Sequence, residues 1–572
     1  MVKLRWKRNS IKYDRREKDI DPDEIFIDSE NLPNFDTDQF EGRIEKSISR
    51  RSIFILGGVF LLIFFVFIFR IWDLQISQGS YYFTKSENNY LRNTLVFAKR
   101  GLIYDRGGIK LAWNIENPTD KAYDLRKYIS LNGFSHLLGY LKYPAKDSSG
   151  FYFSEVFDGK DGVEKTYNNI LSGENGKRIV EVNALGKVQS ENIVHNSKDG
   201  ENLTLTIDSG VQSRMYDEIK NLTDTIGYAG GAGVIMDVKT GEVLAMTSYP
   251  EYSSQIMTDG QNKAAINKYL TDSKNTPLLN KVTDGIYTPG STVKPFMAYA
   301  ALSEKVIDPY QNILSTGSIS IPNPYDPKNP TVFRDWKVHG YVDMRKALAV
   351  SSDVYFYEVG GGYQNQLGLG IVNIDKYMKM FGFGQPINSP FFAGALGTIP
   401  TPEWKAVTFP DDKDWRIGNT YHTSIGQYGF QISPIQMVRA DAAIANGGKL
   451  LEPKILLNEN NLNNTTTDLK LDPSYLKTIG EGMRDGVIKD YGVVKVLNSP
   501  DYTVAAKTGT AELGVYKQFV NSWVTGFFPY EKPRYAFAII MEKGPADNTR
   551  SASFVMKGVL DYMAVNKPEY LK

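Results

Sequence analysis

Cysteine is absent from this 572-residue chain. Its absence excludes disulfides, thiol nucleophiles and Cys-based zinc sites together, and leaves the compartment open. Histidine is scarce: His136, His195, His339 and His422 are scattered, with no His-Glu-x-x-His pair, which removes a zincin-type centre. No serine sits in a Gly-x-Ser-x-Gly elbow, so a nucleophile here is expected to be activated by something other than histidine. An excess of charge is also missing, with 66 Lys and Arg against 65 Asp and Glu and a net charge of +1. Nothing in that balance points to nucleic acid. Proline and glycine are not enriched and no short-period repeat is visible. What is present is ordinary globular material, 42% hydrophobic and 23% charged, long enough for roughly three or four domain-sized units.

The texture changes along the chain. Residues 1–52 are polar, basic at the start and mostly acidic from Asp19 to Glu45, and read as a largely disordered tail. Residues 53–69 contain no charged or strongly polar side chain. Seventeen residues are short for a membrane span, but Ile71 and Trp72 extend the run if Arg70 snorkels to the interface. The anchor is therefore placed at 53–71. Arg43, Lys46, Arg50 and Arg51 crowd its N-terminal side, which puts the tail in the cytoplasm and the rest outside, in a single pass of the cytoplasmic membrane. Residues 72–200 mix short alternating runs with turns, such as Gly107-Gly108 and the segment before Asn183-Ala184-Leu185-Gly186. They read as an elongated, strand-rich pedestal without catalytic residues. From residue 201 the pattern becomes a compact α/β (α+β) domain. It has a strand at 203–207, helical spacing at 211–222 and a hairpin of runs 232–238 and 242–248 around Lys239-Thr240-Gly241. A second hairpin joins 522–528 to 535–541, and a final helix covers about 552–563.

Three segments carry chemistry. In Pro289-Gly290-Ser291-Thr292-Val293-Lys294 the turn residues place Ser291 at the opening of a helix, near the positive end of its dipole, with Lys294 one turn on along the same face. A desolvated lysine can take a serine proton. By itself this pattern is more often an N-capping serine with a surface lysine. Ser351-Ser352-Asp353 offers a hydroxyl to shuttle a proton (Ser351) and a carboxylate to orient the lysine (Asp353), or else an N-cap by Ser352 or Asp353. Lys507-Thr508-Gly509-Thr510 reads as an edge strand. There Lys507 supplies positive charge, Thr508 a hydroxyl, and Gly509 room for a close approach of substrate backbone; a plain strand-end turn is the alternative.

Ser-x-x-Lys, Ser-x-Asp and Lys-Thr-Gly in this order resemble the motif set of penicillin-binding proteins and serine β-lactamases. The likeness runs from about residue 70 to the end. Lys99-Arg100-Gly101-Leu102-Ile103-Tyr104-Asp105-Arg106 and Asp161-Gly162-Val163-Glu164 are similar to pedestal motifs of class B members, with Lys99 where proline is common. Residues 399–405, residues 415–427 and aspartate at 353 look like the elongation-type, penicillin-binding protein 2 branch. The resemblance implies that Ser291 attacks the penultimate D-alanine carbonyl of a stem peptide and expels the terminal D-alanine, with the acyl group then passing to an amine on a neighbouring stem. It implies Lys294 as base, Ser351, Asp353 and Lys507 as further catalytic groups, and the Ser291 and Thr510 N–H groups as oxyanion hole. Lys507, Thr508 and Thr510 would bind the substrate carboxylate, or the acid of a β-lactam. Implied partners are stem peptides, β-lactams, a polytopic glycan polymerase of the shape, elongation and division family, and other elongation-complex membrane proteins. Gly57-Gly58 in the span and Arg100 and Asp105-Arg106 in the pedestal are the expected polymerase contacts, or, for the charges, an internal salt-bridged turn. No cofactor is implied. Some elongation-type members hold zinc near the Ser-x-Asp turn; here, with no cysteine and a short spacer, no metal is expected, Asp335 reads as a surface charge and His339 as a loop residue.

Other readings stay in view. A class A β-lactamase would be a compact soluble domain with a deacylating glutamate, which is not assignable here. A bifunctional enzyme needs a glycosyltransferase domain, for which the roughly 130 residues after the span are short. A division-type class B enzyme is the nearest rival, and a β-lactam sensor or non-catalytic scaffold is the alternative from another class.

Overall fold

The computed structural model describes residues 49–83, 91–148, 152–182, 188–323, 326–457, 466–514 and 516–572. The tail at 1–48 and the turn at Asn183–Gly186 lie outside the described residues. Two units separate, Met1–Leu91 and Arg92–Lys572.

In the first, the apolar run forms the helix Arg50–Trp72. Ser49 caps it by accepting from the Ser52 N–H at 3.1 Å, and Arg70 pairs with Asp73 at 3.1 Å just past its end. Twenty-three residues at about 1.5 Å each give about 34 Å, enough to cross a hydrocarbon core. None of its side chains is buried against protein, which suits a helix whose solvent is lipid.

In the second, an antiparallel sheet of five strands runs in the order Val243–Tyr249, Gly230–Asp237, Tyr535–Pro545, Phe519–Phe528, Ala505–Leu513. Both expected hairpins are present. The first turns at Gly241 (φ 78°), with Asp237 accepting from the Lys239 and Thr240 N–H groups. Alternation then assigns the faces. Val234, Met236, Trp523, Ala538 and Ile540 face one core, which holds the helices Lys294–Ser303 and Pro434–Ala445. Ile235, Val524, Phe537, Ile539 and Met541 face another, shared with Ser209–Ile226 and Ala552–Asn566. Covered on both sides, the middle strands can be apolar throughout, and Tyr535–Met541 is buried at every position.

Some expectations change. The helix predicted at 211–222 begins at Ser209, capped by Asp208, and ends at Ile226 before Gly227 (φ 90°). The strand predicted at 203–207 shortens to Leu203–Thr204 and pairs in parallel with Ile103–Tyr104, so it completes the four-stranded sheet of the pedestal. The pedestal itself mixes short strands with the small helices Ser135–Leu138, Gly162–Thr166 and Asn168–Ser172.

Of the two readings of the pedestal charges, a polymerase contact or an internal salt-bridged turn, Arg100 and Asp105 take the internal one. Arg100 is buried against Glu164, its Nε 2.6 Å from Oε2, and Arg126 takes the other carboxylate oxygen at 2.7 Å. Asp105 is buried too. It accepts from the Gly107 and Ile109 N–H groups, closing the Gly107-Gly108 turn, and from the Ser209 hydroxyl at 2.6 Å. These charges tie the pedestal to itself and to the domain that follows. Arg106 stays half-buried, 3.5 Å from Glu242.

Candidate active site

Three sequence-distant segments converge at the start of the Lys294–Ser303 helix. That helix is buried from Lys294 to Leu302, so its start is fixed by packing on all sides. Ser291 lies in the preceding 3-10 turn Gly290–Val293, at its rim and half-buried. The turn is held by Gly290 N–H donating to the Gly426 carbonyl at 3.0 Å, by Thr292 Oγ1 donating to the Pro289 carbonyl at 2.9 Å and by Trp523 Nε1 donating to the Thr288 carbonyl at 3.0 Å. Close backbone approach requires glycine at two points. A side chain at Gly426 would meet the Gly290 carbonyl at 2.2 Å, and one at Gly509 would meet the Pro289 carbonyl at 2.5 Å. Gly509 therefore lets the edge strand lie against the nucleophile turn.

Lys294 is fully buried, and three oxygens surround its Nζ: Asp353 Oδ1 at 2.6 Å, the Ser351 carbonyl at 2.9 Å and Ser351 Oγ at 3.4 Å. Ser351 adopts the left-handed conformation (φ 58°, ψ 41°) between the helices Met344–Val350 and Asp353–Gly361. That strained corner turns both its carbonyl and its hydroxyl toward the lysine. Ser352 caps the second helix, accepting from the Tyr355 N–H at 3.3 Å. Thus the cap and the catalytic turn, alternatives in the sequence, coexist.

From the edge strand, Lys507 Nζ donates to Ser351 Oγ and to the Thr508 carbonyl, both at 2.8 Å. Ser351 Oγ thus sits between two lysine nitrogens. Burial first, and the Lys294 charge second, push the Lys507 amine well below the usual lysine range against the opposing pull of Asp353. Thr508 is half-exposed and Thr510 exposed on the free side of this outermost strand. Serine hydroxyl, two buried amines, a bridging hydroxyl, one carboxylate and an open sheet edge are the groups that acyl transfer to and from serine requires, and the hydrogen-bonded amines and hydroxyl can pass a proton between them.

A family model described as the penicillin binding protein transpeptidase domain matches residues 231–561. The chain belongs to the penicillin-binding protein transpeptidase family. A second model, the penicillin-binding protein dimerisation domain, matches residues 119–205. Among curated relatives, the peptidoglycan D,D-transpeptidase MrdA of Salmonella typhimurium is 29% identical over 91% of this chain and 96% of its own length. Among solved structures, Pseudomonas aeruginosa PBP2 in complex with WCK 5153 is 28% identical, with a TM-score of 0.69 over 84% of this chain and 98% of that one. Helicobacter pylori PBP2, in a complex with MreC, is 25% identical, with a TM-score of 0.68 over 83% and 99%.

Read as a penicillin-binding protein, the chain has supports that its motifs did not announce. Asp335 is not the surface charge expected. Its side chain is fully buried and accepts from Ser352 Oγ at 2.8 Å and the Val354 N–H at 3.0 Å, fastening the catalytic turn to the Thr331–Arg334 ribbon. His339 is likewise buried, its Nε2 3.4 Å from Asp335, and burial lowers its affinity for a proton despite that carboxylate. Glu542 receives the Tyr287 hydroxyl and the buried Lys281 amine, bracing the segment that leads into the Gly290–Val293 turn. The available signal was the spacing of Asp335 seventeen residues before Ser352, which means nothing until the chain folds back on itself.

Proposed function

We propose that this chain is a membrane-anchored peptidoglycan D,D-transpeptidase acting in cell-wall elongation and shape maintenance, and a target of β-lactams. The observation that carries the reading is the Lys294–Ser351–Lys507 chain closed by Asp353 beside Ser291. Ser291 Oγ attacks the carbonyl carbon of the penultimate D-alanine. Lys294 first hands a proton through Ser351 to the neutral amine of Lys507; the freed Lys294 amine takes the Ser291 proton as the C–O bond forms, and the same chain returns a proton to the leaving D-alanine nitrogen as the C–N bond breaks. An amine from a second stem then attacks the ester, loses its proton to the same chain and frees Ser291. The N–H groups of Ser291 and Thr510 hold the developing oxyanion, and Thr508 and Thr510 with Lys507 receive the terminal carboxylate. Resemblance to MrdA over nearly the whole chain supports the elongation role.

The same reading divides the chain into tail (1–52), anchor (53–71), pedestal (72–200) and transpeptidase domain (201–572). It places the catalytic domain on the outer face of the membrane, since Arg50 and Arg51 flank the N-terminal end of the span. A glycan polymerase partner, and an MreC-like scaffold as in the Helicobacter pylori complex, follow from it. Gly57 and Gly58 have open space around them and suit a helix–helix contact. The test has two parts. Intact-mass analysis after benzylpenicillin is expected to give one adduct on Ser291, and an adduct elsewhere overturns the site. Depletion in cells is expected to cause rounding; filamentation would instead assign the enzyme to division.

A further inference from the structure

The corner Gly426–Gly429 faces the open side of the edge strand across the nucleophile turn. Three of its residues are left-handed: Gly426 (φ 75°), Gly429 (φ 79°) and, unusually for a bulky side chain, Tyr428 (φ 61°). Tyr428 is kept there by an aromatic cage. Its ring meets Trp404 and Trp415 edge-on, with centroids 5.9 and 5.8 Å away, and stacks on Phe409 at 6.4 Å. Trp415 is itself anchored by Nε1 donating to Thr420 Oγ1 at 2.9 Å. The rigid corner aims one side chain into the cleft. Gln427 Nε2 reaches the Thr510 carbonyl at 3.5 Å, a long and easily exchanged bond.

A peptide entering beside this strand adds to its free edge, and its amide groups need partners there. The amide N–H has the Thr510 carbonyl. The amide carbonyl needs a donor, and Asp353 cannot be one, because a carboxylate only accepts and this one is engaged by Lys294. We infer that Gln427 is the specificity-determining donor of this site: its carboxamide donates to the Thr510 carbonyl, and on substrate binding yields it to the N–H of the incoming acyl donor while donating its own N–H to the carbonyl of that amide.

This inference rests on the acyl-transfer reading, and two probes separate the two. Benzylpenicillin carries a side-chain amide; 6-aminopenicillanic acid has the same ring and carboxylate without it. Second-order acylation rates are measured by intact mass on the full chain and on Gln427→Ala and the isosteric Gln427→Glu. The ratio of the benzylpenicillin rate to the 6-aminopenicillanic acid rate is expected to fall roughly tenfold in Gln427→Ala, one hydrogen bond's worth, and at least as far in Gln427→Glu, which replaces a donor by an acceptor. Rates that fall in proportion for both probes would make Gln427 a structural residue and overturn the inference, as would an unchanged ratio. Absence of any adduct on the unmodified chain with either probe would instead overturn the acyl-transfer reading, and this inference with it.

Discussion

Two buried clusters in this molecule share one charge arithmetic, two cations around one carboxylate. In the pedestal, Arg100 and Arg126 hold Glu164 at 2.6 and 2.7 Å. In the catalytic domain, Lys294 and Lys507 share the Ser351 hydroxyl at 3.4 and 2.8 Å, and Lys294 holds Asp353 at 2.6 Å. The difference is the cation. Guanidinium does not give up its proton, and its fork fits a carboxylate. Burial raises the Glu164 pKa, but the Arg126 and Arg100 charges and their hydrogen bonds outweigh it and hold the carboxyl below its ordinary range. That cluster is a fixed weld between pedestal strands and the Gly162–Thr166 helix. With lysine, the same excess charge is relieved by moving a proton, and Lys507 is driven toward its neutral form. Built from arginine the arrangement holds structure; built from lysine it can do chemistry.

If that contrast is right, the clusters should fail in opposite ways. The largest effect is expected from Ser291→Ala, where penicillin labelling should vanish while the thermal midpoint stays within a few degrees; persistent covalent labelling would remove Ser291 as nucleophile. Lys294→Arg comes next, with acylation down by about a thousandfold, because a proton-holding guanidinium replaces a tunable amine. Near-normal acylation by this variant would show that Lys294 need not titrate.

Glu164→Gln should do the reverse. It leaves two buried guanidinium groups without their counter-ion, and urea melts should show a loss of about 3–5 kcal/mol. A loss under about 1 kcal/mol would mean that the pedestal cluster is no weld.

Lys507→Met sharpens the comparison through pH. The folded-state pKa of Lys507 is depressed, so the unfolded chain keeps this proton to higher pH. Stability should therefore rise with pH from the depressed value up to the ordinary lysine range, and the cost of burial is fully present below it. The variant lacks that cost. It should be inactive yet more stable than the parent near neutral pH, by about 1 kcal/mol or more, with the two curves converging above pH ~10. Parallel curves would show that Lys507 is charged throughout. The smallest effect is expected from Asp335→Asn. The amide keeps an acceptor for Ser352 Oγ, so acylation should fall about tenfold and less than in Asp335→Ala; equal losses would mean that Asp335 does not position the turn.

Much of this was legible in the chain because it is local. A membrane span is a property of consecutive residues, and the helix at Arg50–Trp72 extends the run at 53–69 by one turn at each end. Hairpins depend on alternation and on a few turn residues, and both appear where alternation placed them. The three catalytic motifs are short, and each has a local backbone form that its residues favour: the Pro289-Gly290 turn, the Ser352 cap, the edge strand. Local pattern also misled. Asp335 looked like a surface charge because charged residues usually are, while for Arg100 a partner contact and an internal pair stayed open; the burial that makes both structural comes from segments elsewhere in the chain: Ser352 and Val354 for Asp335, Glu164 for Arg100.

What the amino-acid order determined by itself was the set of parts: an anchor, a pedestal, two hairpins and a serine, two lysines and an aspartate in recognisable settings. Only the tertiary structure decided which amine is stripped of water, which carboxylate is shared, and that Gly509 serves a backbone contact with the nucleophile turn. Those outcomes depend on distance and solvent exclusion between residues far apart in sequence, from Lys294 and Ser351 to Pro289 and Gly509. No window along the sequence contains them, because electrostatic coupling and desolvation follow separation in space.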